Sequence, residues 1–266
     1  MRLKRGAVLA DVTSANIVGY ATTTVVKKKQ TAFSLQFTDV ANGDQPVRID
    51  KLLDYTAKSS GAFGAAGDQI WRWDIAKNTW VKYCYQKPTG GTAAWRRYDL
   101  STGSAQYIDL TDDDVVQPGQ TFLFYNGNTK DVTLTLSGAV RPFNGTTSYT
   151  IIKKKQQFIA YPWPVAFKVV DMEKYYTGKS SGAFGAAGDQ LWRWDVTKNT
   201  WVKYCYQKPT GGTAAWRRYD LSTGSAKYID CTDDDVVPAS QGFLFYNGNT
   251  NDVTIEFTYP TPVSAD

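Results

Sequence analysis

The residues with the clearest chemical potential are tryptophans that recur beside charged side chains. Trp71 and Trp73 stand two apart, so they lie on one face of a strand, and Arg72 points to the other face. An aromatic face flanked by Asp, Gln and Arg is suited to holding sugar rings. The competing interpretation is that these side chains form the core of a sandwich. The candidate aromatic faces comprise Trp71, Trp73, Trp95, Trp192, Trp194 and Trp216.

Carboxylates are the next candidates for chemistry, since the chain contains no histidine. The absence of His removes the commonest general base and most zinc and copper sites, so we expect no enzyme and no cofactor. The runs Asp112–Asp114 and Asp233–Asp235 could supply oxygen ligands to calcium, although they lack the D-x-D-x-D-G spacing of a known calcium loop. Exposed turns are the alternative for both runs.

Three cysteines complete the reactive groups. Cys84 and Cys205 occupy the same position of a repeated segment, and Cys231 stands where the first copy has Leu110. The exchange between Leu and Cys favours a small buried hydrophobe at this position. If the strands that carry Cys205 and Cys231 are neighbours, a disulfide between them is the alternative.

Except for Cys231, these residues recur because the stretch from Lys58 to Thr133 returns at Lys179 with about ten substitutions and no gap. A chain of 266 residues with 42% hydrophobic content can bury two cores. We therefore predict two tandem modules, residues 1–141 and 142–266, that arose by internal duplication. Two like surfaces on one chain suit assembly or multivalent binding better than a single active site.

The strand and turn pattern must position these residues. Alternating apolar and polar residues with frequent turn signals predict an all-β fold of two β-sandwich modules that are jelly-roll-like. The tract 70–85 is a predicted hairpin that turns at Asp74–Asn78, and a second hairpin turns at Ser101–Gly103. Asn126–Asn128 is predicted to turn a third hairpin, with its central glycine at a positive φ. VRIDKLLDYTA and its counterpart in the second module are the only helix-like pieces.

Charge and hydropathy exclude two classes of partner. The formal charge is +5, but Lys and Arg are scattered among nearly as many Asp and Glu, whereas nucleic-acid binding needs a larger one-sided patch. No apolar run reaches the length of about 18 residues that predicts a membrane span. The basic start and short apolar stretch of residues 1–20 have features of a trimmed secretory signal, and an ordinary terminus is the alternative.

A strand-like segment near the N-terminus has no obvious equivalent before the second module. It consists of Ala15, Asn16, Ile17, Val18, Gly19 and Tyr20. Such a strand could add to the sheet of a neighbouring copy by strand complementation. The expected partner is therefore a second copy of this chain, and glycans are the alternative partner of the tryptophan faces.

The element SANIVGY, the hairpin GDQIWRWD and the segment FLFYNG resemble a group of exported bacterial β-repeat proteins, which carry an S-A-N-I-V-G-Y element and G-D-x-I-x-x-W-D hairpins. The resemblance covers both modules loosely and implies export and a structural or surface role, with no known activity attached. We therefore expect an extracellular or cell-surface protein that is a non-enzymatic subunit of a filament or layer. A secreted carbohydrate-binding protein is the alternative.

Overall fold

The computed structural model describes residues 18–38, 45–53, 67–140, 146–179, 188–222, 224–225 and 227–258. The strands of the first half are β1 Val18–Val25, β2 Gln30–Ser34, β3 Phe37–Thr38, β4 Val47–Arg48, β5 Gln69–Asp74, β6 Thr79–Gln86, β7 Ala94–Asp99, β8 Gln106–Asp109, β9 Val115–Val116, β10 Thr121–Tyr125 and β11 Val132–Val140. The strands of the second half are β12 Thr146–Ile151, β13 Gln156–Ala160, β14 Phe167–Lys168, β15 Gln190–Asp195, β16 Thr200–Gln207, β17 Ala215–Asp220, β18 Lys227–Asp230, β19 Val236–Val237, β20 Gly242–Tyr246 and β21 Val253–Thr258.

The helix-like pieces form short 3₁₀ helices at Ile49–Lys51 and Val169–Lys174. Neither is an α-helix, because each is too short to bury an amphipathic face of its own. In the part of the chain that the structure describes, no helix has the length and apolar character needed to cross a bilayer.

Each half of the chain builds one large and one small antiparallel sheet. The large sheets have six strands in the same order, β2-β10-β5-β6-β7-β8 and β13-β20-β15-β16-β17-β18. The small sheets are β1-β11-β3 in the first half and β12-β21 in the second, and the short pairs β4-β9 and β14-β19 accompany them. The prediction of an all-β fold with two β-sandwich modules is therefore confirmed. The predicted boundary between residues 141 and 142 lies outside the described residues and stays a prediction.

The inner face of each large sheet forms the core of its half. Ile70 of β5 stands opposite Tyr83 of β6 and Phe124 of β10, and all three are fully buried. They pack with Leu134 and Leu136 of β11, so the small sheet covers this face. Burying side chains of this size contributes about 1.5–3 kcal/mol each. The buried cluster of the second half shares no residue with that of the first, so each half has its own core.

Two of the predicted hairpins are confirmed. β5 and β6 turn through Asn78, whose φ is 51°, and β7 and β8 turn through Gly103, whose φ is 78°. Asp74 fixes the first turn, since its Oδ1 accepts the backbone N–H of Lys77 at 2.9 Å. Asp99 fixes the second by accepting hydrogen bonds within its own turn. The aromatic–Asp sequences thus end strands because the carboxylate caps the turn that follows.

The predicted third hairpin is wrong. β10 already pairs with β2 on one side and with β5 on the other, so β11 has no free edge to join and enters the small sheet. The side-chain amide of Asn126 holds this crossover by donating to the carbonyls of Val25 and Lys130 at 2.9 and 3.0 Å. Gly127 does not take a positive φ.

The outer faces of the two large sheets pack against each other. Phe158 of β13 contacts tryptophans of both halves, with its ring centroid 4.9 Å from that of Trp80 and 5.8 Å from that of Trp201. Trp194 is buried beside Ala32 and donates from Nε1 to the carbonyl of Gln30 at 2.8 Å. The large sheets therefore bury both of their faces in this region.

The contact between the halves has an approximate two-fold arrangement. β2 lies against β20 and β10 lies against β13; since β2 is equivalent to β13 and β10 to β20, the two contacts repeat each other with the halves exchanged. Gln36 bridges the halves by donating to the Tyr161 carbonyl and accepting the Ser240 backbone N–H, both at 2.8 Å. Thr121 Oγ1 donates to the carbonyl of Ile159 at 3.0 Å. Apolar packing and buried hydrogen bonds thus fix one module on the other.

Gly242 lies against Thr121 of the other half, and this close contact leaves no room for a side chain. A Cβ added there would lie 1.6 Å from Thr121 Oγ1, 2.6 Å from Thr121 Cβ and 2.7 Å from the Ile159 carbonyl oxygen. We expect Gly242→Ala to lower the free energy of unfolding by about 1–3 kcal/mol, because overpacking a filled contact forces its neighbours to shift. Urea unfolding of the full chain, followed by tryptophan fluorescence, measures the change.

Thr121→Gly is the compensating substitution, since it removes two of the three close atoms and leaves only the Ile159 carbonyl oxygen. The cost of Gly242→Ala should be smaller in the Thr121→Gly background than in the unchanged chain. Equal costs in both backgrounds would show that the two residues do not meet.

Candidate functional site

A polar network lies on the inner face of each large sheet, beside the core. Asp114 is buried, and its Oδ1 accepts hydrogen bonds from Arg97 at 2.8 Å and from Tyr83 Oη at 3.1 Å. Its Oδ2 accepts the backbone N–H of Thr111 at 2.9 Å, and Arg72 donates from Nε to Tyr83 Oη at 3.3 Å. We call Arg72, Tyr83, Arg97 and Asp114 the inner network. The second half repeats it with Arg193, Tyr204, Arg218 and Asp235.

The protonation states of this network are fixed around neutral pH. Burial raises the pKa of Tyr83 to about 12, so its hydroxyl keeps the proton that it donates to Asp114. Burial alone would raise the pKa of Asp114, but the Thr111 amide, Arg97 and Tyr83 outweigh it and leave the pKa below its ordinary value. Neither Tyr83 nor Asp114 has a pKa near neutrality, where a general acid or base works best. The hydrogen bonds of the network stabilise the buried carboxylate of Asp114 in its charged form.

Sequence reasoning placed Arg72 opposite the tryptophans but gave it no partner. A guanidinium that points to the core side of a strand needs a buried acceptor, and this requirement is the signal that was missed. Tyr83 stands diagonally opposite on the next strand and supplies the acceptor. Asp114 could not have been assigned from the sequence, because two further strands, β7 and β8, separate it from Tyr83 along the chain.

The acidic runs do not converge on one point. Asp114 belongs to the inner network, whereas Asp112 is exposed and faces Arg48 at 3.5 Å. In the second run, Asp233 pairs with Lys168 at 2.7 Å. Over the described residues, no group of three or more His, Cys, Asp or Glu side chains is placed to hold a metal ion.

Four of the six candidate tryptophans are not on an open face. Trp73 and Trp194 are 9% and 6% exposed, because they lie in the contact between the two large sheets. Trp95 pairs with Tyr85 on the inner face and packs against the core of the first half. Trp216 is buried in the core of the second half. The core interpretation is therefore correct for Trp95 and Trp216, whereas Trp73 and Trp194 are buried between the modules, and the binding-face prediction is wrong for all four.

Trp71 and Trp192 remain on the outer faces, half-buried under lysines. The Nζ of Lys82 lies 5.0 Å from the ring centroid of Trp71 and 5.3 Å from that of Tyr98, and Tyr98 contacts Tyr107. The second half repeats this outer strip with Trp192, Lys203, Tyr219 and Tyr228. Because the lysine occupies the ring face, a sugar could stack there only by displacing a cation–π contact of about 0.5–1 kcal/mol.

The predicted assembly strand is already paired within its own module. Val18–Tyr20 belong to β1, which runs antiparallel to β11 along its whole length. Its alternation sends Val25 into the core, so the strand is part of the sandwich and is not free for donation. The second half also has an equivalent strand, β12, which pairs with β21. Strand donation is therefore wrong for Val18–Tyr20, and Ala15–Ile17 lie outside the described residues.

The predicted disulfide does not form, and all three cysteines are free thiols. Cys205 of β16 stands opposite Arg217 of β17, which stands opposite Asp230 of β18, so a whole strand separates Cys205 from Cys231. Two strand spacings amount to roughly 10 Å, beyond the reach of a disulfide. Burial raises the pKa of Cys84, of Cys205 and of Cys231, in the last case to about 12.

The two hairpins of each large sheet separate towards their tips. The ladder between β16 and β17 stops at the Tyr204↔Arg218 pair, although β16 begins at Thr200 and β17 continues to Asp220. In the first half the ladder stops at the equivalent Tyr83↔Arg97 pair. The gap in the second half is a pocket of about 330 Å³, the hairpin cleft, lined by Arg193, Asp195, Lys198, Val202, Arg218, Asp220 and Ser222.

Comparison with known proteins assigns no family to the chain. A scan against protein-family models found no match to the chain, and a search of curated proteins found none either. The function has to be argued from the cleft, the networks and the sheet edges.

The inner network predicts that replacing Asp114 lowers the free energy of unfolding by an amount that depends on pH. Asp114→Asn should lower the free energy of unfolding by roughly 1–3 kcal/mol at neutral pH, because it removes the charge that Arg97 and the Thr111 amide face. The folded pKa is lowered, so the stabilisation is complete above the unfolded value of about 4 and is lost as the pH falls through the folded value. Urea unfolding over a pH series should show the difference shrinking below about pH 4.

Asp113→Asn is the matched control, since Asp113 is an exposed neighbour in the same run. It should change the free energy of unfolding by less than about 0.5 kcal/mol. If Asp113→Asn and Asp114→Asn behaved alike at every pH, the network would not be stabilising the fold.

The free thiols give a second prediction. At about pH 8, Cys231 should react with iodoacetamide roughly a thousandfold more slowly in the native chain than after unfolding, because its raised pKa leaves little thiolate. Mass spectrometry of the alkylated peptides measures each thiol separately, and Cys84 and Cys205 should be protected by burial as well. A peptide linking Cys205 to Cys231 under non-reducing conditions would refute the strand order described above.

Proposed function

We propose that this protein is a non-enzymatic structural subunit that self-associates at the open edge of β1. The observation that carries the proposal is the composition of this edge, since VGYATTTV contains no charge and no proline over eight residues. β1 stands at the end of the sheet β1-β11-β3, so one side of its backbone meets no other strand among the described residues. Proteins that must stay monomeric usually protect such an edge with charges, prolines or bulges.

The edges of the two large sheets, by contrast, are protected by charges or by packing. β8 and β18 end the large sheets with Asp109 and Asp230, which pair with Arg96 at 2.9 Å and Arg217 at 2.6 Å. β2 at the opposite end is covered by the second half, where the Ser34 N–H donates to the Ser240 carbonyl at 2.9 Å. The contrast favours β1 as the edge that a further strand would join.

The geometry of association follows from which edges meet. Two β1 strands pairing with each other would form a two-fold contact that closes as a dimer. β12, with the sequence TTSYTI, is also uncharged and at an edge, so pairing of β1 with β12 of the next chain would propagate into a filament or layer. Tyr20 is 76% exposed on β1 and would add cross-strand aromatic contact.

The described chemistry supports a non-enzymatic role. The carboxylates and tyrosines of the inner networks are committed to each other, and the cysteines are held as thiols. An extracellular or cell-surface location is part of this proposal and rests on the sequence resemblance.

Charges placed on β1 test the proposal. Tyr20→Lys with Thr24→Lys should weaken self-association by roughly tenfold or more, because lysines on an edge strand disfavour pairing with a further strand, whether that strand is β1 or β12 of another copy. Sedimentation velocity over a concentration series, with negative-stain electron microscopy of the largest species, measures the effect.

The matched control places the same charges one strand inward. Ser137 and Thr133 of β11 stand directly opposite Tyr20 and Thr24, on the same exposed face but inside the sheet. Ser137→Lys with Thr133→Lys should leave association within about twofold of the unchanged chain. A chain that is monomeric at every concentration would end the proposal, as would an equal effect of both pairs of substitutions.

A further inference from the structure

We propose that the hairpin cleft of each module binds an acidic saccharide unit. The cleft volume of about 330 Å³ lies at the lower end of the range for small-molecule sites, and a second pocket of about 250 Å³ adjoins it at the same fork. The cleft is formed by hairpin tips of the large sheet and shares no strand with the β1 edge. The inference therefore does not depend on self-association.

Arg193 is the group best placed to take the carboxylate of the ligand. It donates to the Tyr204 hydroxyl at 2.9 Å and forms no ion pair with a described residue, whereas Arg218 pairs with Asp235 at 2.8 Å. Burial raises the pKa of Tyr204 to about 12, so this hydroxyl orients the guanidinium without neutralising it. A guanidinium held in this way keeps free donors, which match a carboxylate in a bidentate arrangement.

Lys198 adds a second cation at the mouth of the cleft. Its side chain is exposed on the turn between β15 and β16 and enters no ion pair among the described residues. The lysine offers a flexible point charge to an anion that has entered the cleft, while the half-buried Arg193 offers a fixed geometry.

Two carboxylates on opposite walls supply acceptors for sugar hydroxyls. Asp195 accepts the backbone N–H of Lys198 at 3.0 Å, and Asp220 accepts the backbone N–H and the hydroxyl of Ser222 at 2.8 and 2.9 Å. These bonds fix both carboxylates, and each still has lone pairs to spare. A site that combines unpaired cations with fixed acceptors suits a molecule that carries both a carboxylate and hydroxyl groups.

The adjoining pocket supplies an apolar wall. Val202 lines both pockets, and Trp201 lines the second together with Tyr219, whose ring a sugar would share with Lys203 at 5.7 Å. Aromatic and aliphatic surface beside polar groups fits the C–H face of a sugar ring better than it fits a small inorganic anion. This wall is the reason to assign a saccharide to the cleft.

The first half carries the same residues at every equivalent position of the cleft. They are Arg72, Asp74, Lys77, Val81, Arg97, Asp99 and Ser101. The turn-capping bonds recur, with Lys77 N–H to Asp74 at 2.9 Å and Ser101 N–H to Asp99 at 2.8 Å. Two equivalent sites on one rigid chain would hold a polymeric ligand by avidity.

Isothermal titration calorimetry of the full chain tests the inference with matched ligands. Oligomers of galacturonate, of guluronate and of glucuronate-containing hyaluronate serve as acidic probes, and methyl-esterified oligogalacturonate is the neutral control of the same shape. At least one acidic probe should bind at two sites per chain, and its affinity should fall as salt is raised. Oligogalacturonate should bind at least tenfold more tightly than its ester if it is that probe.

Two pairs of substitutions locate the site. Arg72→Gln with Arg193→Gln should weaken binding tenfold or more, and Lys77→Gln with Lys198→Gln, at exposed turns that leave the fold intact, should weaken it several-fold. Lys27→Gln with Lys153→Gln removes the same charge from exposed turns at the opposite end of the sheet and should leave affinity unchanged. Failure of all acidic probes to bind would overturn the inference. So would equal affinity for acid and ester, or equal losses from the cleft and control variants.

Discussion

The structure depends on one constraint, which is that each large sheet must bury both of its faces where the two halves meet. Along β10, Phe122 and Phe124 point into the core of the first half, while Leu123 between them points into the contact with the second half. A slip of one residue would exchange these faces and put every side chain against the wrong neighbours. The same alternation sends the inner network to one side of the sheet and the outer strip to the other.

Local signals were enough for the elements whose partners are close in sequence. The hairpins of the large sheet could be predicted because a turn-capping carboxylate such as Asp74 or Asp99 stands within three residues of the N–H that it accepts. The strand after Asn126 could not, because its partner β1 lies at the other end of the module and the turn itself resembles a hairpin. The predicted disulfide between Cys205 and Cys231 was wrong for the same reason. Whether two cysteines are close depends on the order of the strands in the sheet, which their spacing in the sequence does not reveal.

The candidate site divides in the same way between local and non-local information. The alternation correctly put Arg72 opposite Trp71 and Trp73, but a tryptophan on the outer face looks the same whether water or a second module covers it. Only the packing of the halves decides that Trp73 is buried while Trp71 stays half-exposed. The hairpin cleft could not be predicted from the sequence. The strand pattern continues through Thr79–Gln86, but β6 pairs with β7 only from Tyr83 onward.

The two halves differ where they meet, and these differences make them complementary. Phe158 fills the contact from the second half, while the equivalent Ala32 is small and leaves room for Trp194 to reach a carbonyl of β2. Trp73, which faces Phe158, has a buried Nε1 without a hydrogen-bond partner among the described residues. At the closest approach, Thr121 meets Gly242, and a threonine on both sides would clash. Identical halves would lack this fit, so the internal contact selects one partner for each half, and the β1 edge and the hairpin clefts lie outside this contact.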